Sequence, residues 1–288
     1  MILLTGAGGK TGRALIKALP TPESICAFVH HDEQAVIAKA QGIERVVVGD
    51  LRDEVAVRAA MQGVRALYHI CPNMNPDEAE IGRLLIGAAR EFGVEHFVYH
   101  SVLHPQTEKM NHHWQKLRLE EAILESGLAF TILQPGPYMQ NLLGGWHSIV
   151  EDGVLRVPYS VDSRFSFVDL DDVAEAARIV LTEPGHSYAT YELAGTSPIS
   201  HVEVTAIFSR VLNDDFRAEK EDIPAWRTRA QRSGMSAYAV ENLIRMFEYY
   251  DSWGLAGNPN VLRWVLKREP TTFESFIRRA TRDHETDH

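Results

Sequence analysis

Short apolar runs alternate with stretches of helical spacing along the first two thirds of the chain. Ile2-Leu3-Leu4-Thr5 is almost continuously apolar, as a strand buried on both faces requires, and Thr11 to Leu19 then sets Ala14, Leu15, Ala18 and Leu19 at helical intervals. The same alternation predicts strands over Ile25–His30, Arg45–Val48, Ala66–Ile70, His96–Ser101 and Ala129–Gln134, with helices over Asp32–Ala40, Pro76–Phe92 and His113–Ser126. Strands interleaved with helices in this way read as an α/β fold of Rossmann type, a doubly wound parallel sheet. Gln134-Pro135-Gly136-Pro137 breaks the rhythm. Beyond it Met139–Val150 reads as helical, Arg164–Val168 as extended, Asp172–Thr182 as a strongly amphipathic helix and Tyr188–Leu193 as another strand. Helical patterns follow over Ser200–Leu212, Pro224–Arg232, Ala237–Tyr250 and Phe273–Arg279, and the charged end RDHETDH is expected to fray. The expectation is a nucleotide-binding domain over 1–155 and a smaller, helix-rich C-terminal substrate lobe over 156–288, part of 164–195 returning to the main sheet.

Between the first strand and the first helix stands TGAGGKTGR, Thr5 to Arg13. Gly6, Gly9 and Gly12 form G-x-x-G-x-x-G, which supplies the unusual turn, the close approach of backbone to a pyrophosphate and tight packing of helix on strand. Exposed N–H groups at the helix start would face the anion. Thr5, Gly6, Gly8, Gly9, Lys10, Thr11 and Gly12 are therefore candidate cofactor contacts. At the end of the second strand, where an NAD-specific site carries a carboxylate for the ribose 2′-hydroxyl, stand His30 and His31. With Lys10 and Arg13 they favour NADP, with NAD as second choice because Asp32 is close by.

Composition narrows the range of partners. The 288 residues carry 29 Lys and Arg against 39 Asp and Glu, a formal net charge of −10, which disfavours nucleic acid and anionic membrane surfaces. Neither a signal peptide nor a membrane span is read from MILLTGAGGK. Two cysteines, Cys26 and Cys71, imply no disulfide framework and fit a reducing cytoplasm. Each reads as a buried small hydrophobe, with a redox role the alternative for Cys71. A homodimer is compatible with all of this.

The candidate chemistry sits at strand ends. Ser101 closes the fifth strand, where its hydroxyl can reach a substrate oxygen or cap a turn. Lys116 lies early in the next helix, either a site residue or a surface partner of Glu120 at i,i+4. His100, His104, His112 and His113 lack metal-ligand spacing, so no metal is expected. Asp169, Asp171 and Asp172 read as caps of the helix they precede. Trp114, Tyr138 and Trp146 are candidates for a planar-substrate pocket or for core.

Together TGAGGKTGR, GDLRD, YHSV, HHWQKLRLEEAILESGLAFTILQPGPYMQN and FSFVDLDDVAEAA resemble the NmrA-like family of atypical short-chain dehydrogenases/reductases. The family joins NADPH-dependent reductases of quinones and dyes with catalytically silent proteins that sense nicotinamide nucleotides and regulate a partner protein. The resemblance implies that Asp50 and Leu51 flank the adenine, Ile70, Cys71 and Pro72 the nicotinamide-side ribose, and Pro135, Gly136 and Tyr138 the nicotinamide. It gives Lys116 the ribose hydroxyls. His30 replaces the arginine of many members, and His112 stands four residues before Lys116, where the wider superfamily carries its tyrosine acid.

That replacement bears on substrate. Reduction of a simple ketone creates a strongly basic alkoxide and rewards a positioned acid, whereas a quinone yields a phenolate-like anion of pKa about 10 that water, His112 or Lys116 can protonate. The sequence thus points to an NAD(P)H-dependent oxidoreductase of small planar, conjugated acceptors, with Lys116, Ser101 and His112 as catalytic candidates. The alternative is a silent NADP(H)-binding sensor with a regulatory protein partner.

Overall fold

The computed structural model describes residues 1–286. Its first half runs β1 (Ile2–Thr5), α1 (Lys10–Ala18), β2 (Ile25–Val29), α2 (Asp32–Ala40), β3 (Arg45–Val48), α3 (Glu54–Met61), β4 (Ala66–His69), α4 (Glu78–Glu91), β5 (His96–His100), α5 (Asn111–Leu124) and β6 (Phe130–Pro135). It continues through α6 (Trp146–Asp152), β7 (Val154–Val157), α7 (Leu170–Thr182), β8 (Ala189–Leu193), α8 (His201–Leu212), β9 (Arg217–Lys220), α9 (Ile223–Arg232), α10 (Ala237–Trp253), α11 (Asn260–Leu266) and α12 (Phe273–Thr286).

The chain divides into two compact units. The first takes 1–108, 112–134 and 173–191; the second takes 109–111, 135–172 and 192–288. The division expected at residue 155 falls inside the second unit, because the chain changes unit at the Pro135-Gly136-Pro137 corner.

A seven-stranded sheet in the order β3-β2-β1-β4-β5-β6-β8 organises the first unit. Its first six strands pair in parallel. β1, β2, β4 and β6 are buried throughout, which fits their largely apolar sequences. Strand order reverses between β1 and β4, the switch point at which open α/β sheets receive ligands. Leu3, Phe28, Leu67, Phe97 and Tyr99 form part of one core with Val57, Ile81, Leu85, Leu119 and Ile123 of the helices.

In the second unit, β7 and β9 make a two-stranded parallel ladder that the sequence reading did not anticipate. Arg164–Val168, expected as extended, contributes isolated bridges from Phe165 to Ile199 and Leu255. The end of the chain departs from expectation: residues 282–286 continue α12 rather than fraying, and the His284 ring stacks on Trp146 with centroids 5.4 Å apart. Residues 287–288 of RDHETDH lie outside the described residues. Trp146 is itself buried against Phe208, so it belongs to the core of this unit.

Gly82 shows how closely α4 and α5 approach. A Cβ there would come 2.1 Å from Leu119 Cδ1 and 2.8 Å from its Cγ. Gly82→Ala should therefore destabilise the protein by about 1–3 kcal/mol, the usual range for overpacking. Urea unfolding with a lowered midpoint and unchanged m checks it; an unchanged midpoint would contradict this packing.

Candidate functional site

The glycine turn lies at the switch point. Gly6 has φ +65°, and a Cβ on it would come 3.0 Å from Ile70 O, just beyond β4. Gly12 is packed so closely that a Cβ would come 2.4 Å from Gly6 O. Each position excludes a side chain for a different reason, one conformational and one steric. Thr5 Oγ1 joins the two strands by accepting from Ile70 N at 2.9 Å.

The start of α1 has the features that an anion site requires. Gly9 is its N-cap, no side chain caps it, and no acidic residue occupies the first turn. The uncapped N–H groups and the positive end of the helix dipole fit a pyrophosphate. Gly9 is exposed, and Gly6 O at 3.3 Å is the only heavy atom within 4 Å of a Cβ built there. Lys10 and Arg13 are exposed and make no ion pair among the described residues. His30 and His31 are exposed at the end of β2, their rings 4.3 Å apart, and both backbone N–H groups donate to Gln34 Oε1. These residues fit a dinucleotide with a 2′-phosphate.

Asp50 and Leu51 follow β3. Arg52 grips Asp50 through Nε at 3.0 Å and Nη2 at 2.6 Å, and reaches Asp77 at 3.3 Å. That hydrogen bonding holds the Asp50 carboxyl down to about 2. Arg52 was not singled out in the sequence, although its position in GDLRD is the signal that could have found it.

The central feature is a buried polar cluster around Lys116. Its Nζ donates to Glu78 Oε1 at 2.6 Å and lies 3.4 Å from His100 O. Glu78 has no exposed surface, and Lys116 is 7% exposed. Tyr99 OH donates to the same Glu78 oxygen at 2.6 Å, and the Lys116 ammonium lies 5.3 Å from the centre of its ring. Burial, then the Glu78 charge, keeps the Tyr99 phenol protonated. His69 stacks on Tyr99 at 5.7 Å, and its Nδ1 meets Thr5 Oγ1 at 2.8 Å. Lys116 thus pairs with Glu78 and not with Glu120, the partner that local spacing offered.

Glu120 turns instead to Ser101 and Gln134. The Ser101 hydroxyl donates to Glu120, and Gln134 Nε2 donates to both carboxylate oxygens at 2.9 and 3.0 Å. Burial raises the Glu120 carboxyl. Ser101, which was expected to donate to a substrate oxygen, has its one O–H directed at Glu120 and is 3% exposed.

His112 is also buried, and desolvation followed by the Lys116 charge brings its imidazole down to about 3. It is neutral near pH 7. His69, His100 and His113 are likewise brought to about 3, each chiefly by burial. Cys71 is buried and its thiol is raised by desolvation, as is that of Cys26, which suits small hydrophobes and not reactive thiols. Pro72 is exposed. Among the described residues, no group of three or more His, Cys, Asp or Glu converges as a metal site.

Pro135, Gly136 and Tyr138 belong to the second unit. Gly136 N donates to Leu193 O at 3.1 Å, Val168 N to Pro137 O at 3.0 Å and Met139 N to Val168 O at 2.9 Å. Asp169 caps α7 by accepting from Asp171 N at 3.0 Å, and also accepts from Gln140 and Arg279. Asp172, expected as a cap, instead accepts from Arg268, Thr271 N and Thr271 Oγ1. Trp114 lies under the Arg118 guanidinium, 4.9 Å from its carbon to the ring centre.

Strand order, a glycine turn at the reversal and an uncapped helix start define a dinucleotide-binding Rossmann protein. The chain belongs to the NmrA-like family, which it matches over residues 1–277. It is 33% identical over 210 residues to quinone oxidoreductase 2 of Escherichia coli (strain K12), covering 72% of each chain. It is 28% identical over 281 residues to an NAD(P)H azoreductase of Xenophilus azovorans, covering 96% of this chain and 97% of that one. The crystal structure of the Escherichia coli NADPH-dependent quinone oxidoreductase complexed with NADPH superposes with a TM-score of 0.85 at 27% identity, covering 98% of this chain and all of the other. Among the described residues, no helix is long and apolar enough to cross a membrane.

Two outcomes follow from this geometry. Gly9→Val should abolish NADPH binding in calorimetry while leaving the far-ultraviolet circular dichroism unchanged, because φ −80° and ψ 171° suit valine and its side chain would enter the anion site. Unchanged affinity would remove the phosphate assignment. The second concerns pH. The folded imidazoles of His69, His100, His112 and His113 lie near 3, below the ordinary 6.5, so the unfolded chain binds more protons between those values. Their stabilisation is complete above about pH 6.5 and is lost as pH falls towards 3, by up to about 1.4 kcal/mol per pH unit for each histidine. The urea midpoint should drop steeply from pH 7 to 5; a flat profile would mean these rings are not buried neutral.

Proposed function

We propose that the protein is an NAD(P)H-dependent reductase of quinone-like or other conjugated planar acceptors, with NADP(H) preferred. The observation that carries the reading is the state of the groups around Lys116: an ammonium already paired with a carboxylate, neutral buried histidines and a phenol committed to Glu78. Such a site orients well and protonates poorly. An acceptor whose reduced form is a phenolate-like anion needs little more, since an anion of pKa about 10 takes its proton from water at modest cost. The similarity to a quinone oxidoreductase and an azoreductase supports the same class of acceptor.

Within that reading, NADPH when bound supplies the hydride. The chain's own residues do the rest. Gly6, Gly9, Gly12 and the start of α1 bind the pyrophosphate, and Lys10, Arg13, His30 and His31 attract the 2′-phosphate. Asp50, Leu51, Ile70, Cys71 and Pro72 border the adenosine and ribose. Lys116 holds the ribose hydroxyls. Ser101 acts through Glu120 and Gln134 on the end of β5, and His112, buried and neutral, is of secondary importance. The partner is a small planar molecule in a reducing compartment.

The test is NADPH oxidation against a panel of quinones, enones and azo dyes. Lys116→Ala should lower quinone turnover at least about tenfold through lost positioning, whereas His112→Phe should change it less than about threefold. Intact turnover in Lys116→Ala would mean the active site is elsewhere. Tight NADPH binding with no acceptor reduced would overturn the enzyme reading in favour of a nucleotide sensor acting on a protein partner.

A further inference from the structure

We infer that Glu78 is the positioning residue of this site: it keeps Lys116 charged and fixed so that one ammonium N–H stays free for the cofactor ribose. The inference rests on the assignment of Lys116 under the proposed function and adds a residue that neither motif nor spacing marks. Glu78 lies 38 positions before Lys116, on the first turn of α4, and has no contact with solvent.

Donor arithmetic makes the case. An ammonium has three N–H donors and a neutral amine two. Lys116 directs one at Glu78 Oε1 at 2.6 Å and a longer one at His100 O at 3.4 Å, leaving the third without a hydrogen-bond acceptor among the described residues. Only the charged form satisfies both protein acceptors and still offers a donor. A buried ammonium stays charged only beside a counter-charge.

The groups that face Lys116 identify that counter-charge. From the sheet, His69 and His100 are neutral, the Tyr99 phenol is protonated, and the Cys71 thiol is held protonated by burial. From its own helix, His112 and His113 are neutral, and Glu120 is bound to Ser101 and Gln134. Glu78 is the carboxylate that touches the ammonium. Tyr99 fixes it in turn by donating to the same oxygen, while Oε2 is buried with no partner among the described residues.

The test is NADPH affinity by calorimetry from pH 7.5 to 9.5, above the range in which an ordinary imidazole or a phosphate monoester titrates. Wild type should vary less than about threefold. Glu78→Gln keeps the shape and an acceptor oxygen but removes the charge, which favours loss of the Lys116 proton, so its affinity should fall at least about tenfold across the window. A role confined to packing would lower affinity by the same factor at every pH, and parallel profiles would overturn the inference. If Lys116→Met alone leaves NADPH affinity unchanged, the ribose assignment itself fails. If Lys116→Met weakens binding and Glu78→Gln stays flat with pH, only the role of Glu78 fails. Should Glu78→Gln not fold, the double variant Glu78→Gln with Lys116→Met removes the stranded charge. It should be soluble and bind NADPH as Lys116→Met does; a further loss of about tenfold or more would overturn the inference.

Discussion

A carboxylate with no exposed surface must be held by charge and hydrogen bonds together, and the arrangement around Glu78 follows from that requirement. It sits on the first turn of α4, where the helix dipole favours a negative group, and it receives both the Lys116 ammonium and the Tyr99 hydroxyl on one oxygen. Loss of one partner from a buried pair costs about 3–5 kcal/mol, far more than the pair contributes over a well-packed apolar substitute. The pair is therefore better understood as a constraint than as a source of stability. It ties the start of α4, the end of β5 and the first turns of α5 to one point in the first unit.

The same constraint reaches the nucleotide turn through the strand register. Leu4 faces Tyr68 and His69 faces Tyr99, so Thr5, His69 and Tyr99 occupy one level across β1, β4 and β5. Thr5 bonds His69, His69 stacks on Tyr99, and Tyr99 bonds Glu78. Asp77, the neighbour of Glu78, is gripped by Arg52, which also chelates Asp50 beyond β3. Two adjacent acidic residues thus serve opposite sides of the same helix start, one inward to a buried lysine and one outward to an exposed arginine. A row of polar groups at the carboxyl ends of parallel strands is where this fold class receives ligands, and burial of the row explains why its histidines are neutral.

Much of this architecture was legible in the sequence because it is written in local periods. Continuous apolar runs mark the parallel strands, and glycine spacing marks the tight turn between β1 and α1, since both depend on residues a few positions apart. The Lys116 partner was not legible for the opposite reason. Spacing on one helix offered Glu120, but the buried geometry gives Glu120 to Ser101 and Gln134 and brings Glu78 from another element. The ladder of β7 with β9 was missed likewise, since Arg217-Ala218-Glu219-Lys220 carries no strand signal of its own and pairs with a segment about sixty residues earlier. Charge suggested a frayed end over 282–288, yet His284 stacks on Trp146 and α12 continues to Thr286, the last described residue. In each case a tertiary partner outweighed a local tendency.

The replacement of tyrosine by His112 takes on a physical meaning in this setting. An imidazole brought down to about 3 is not an acid at neutral pH, and the Lys116 ammonium already directs donors at Glu78 and His100 O. A site that cannot deliver a proton must leave the basicity of the product to the acceptor. The alkoxide from a simple ketone is then a poor outcome and the anion from a quinone a tolerable one, by the difference in their proton affinities alone. On the proposed assignment of the Lys116 cluster as the active site, substrate range is set less by what the protein donates than by what it declines to neutralise, and burial of the cluster is the cause of both.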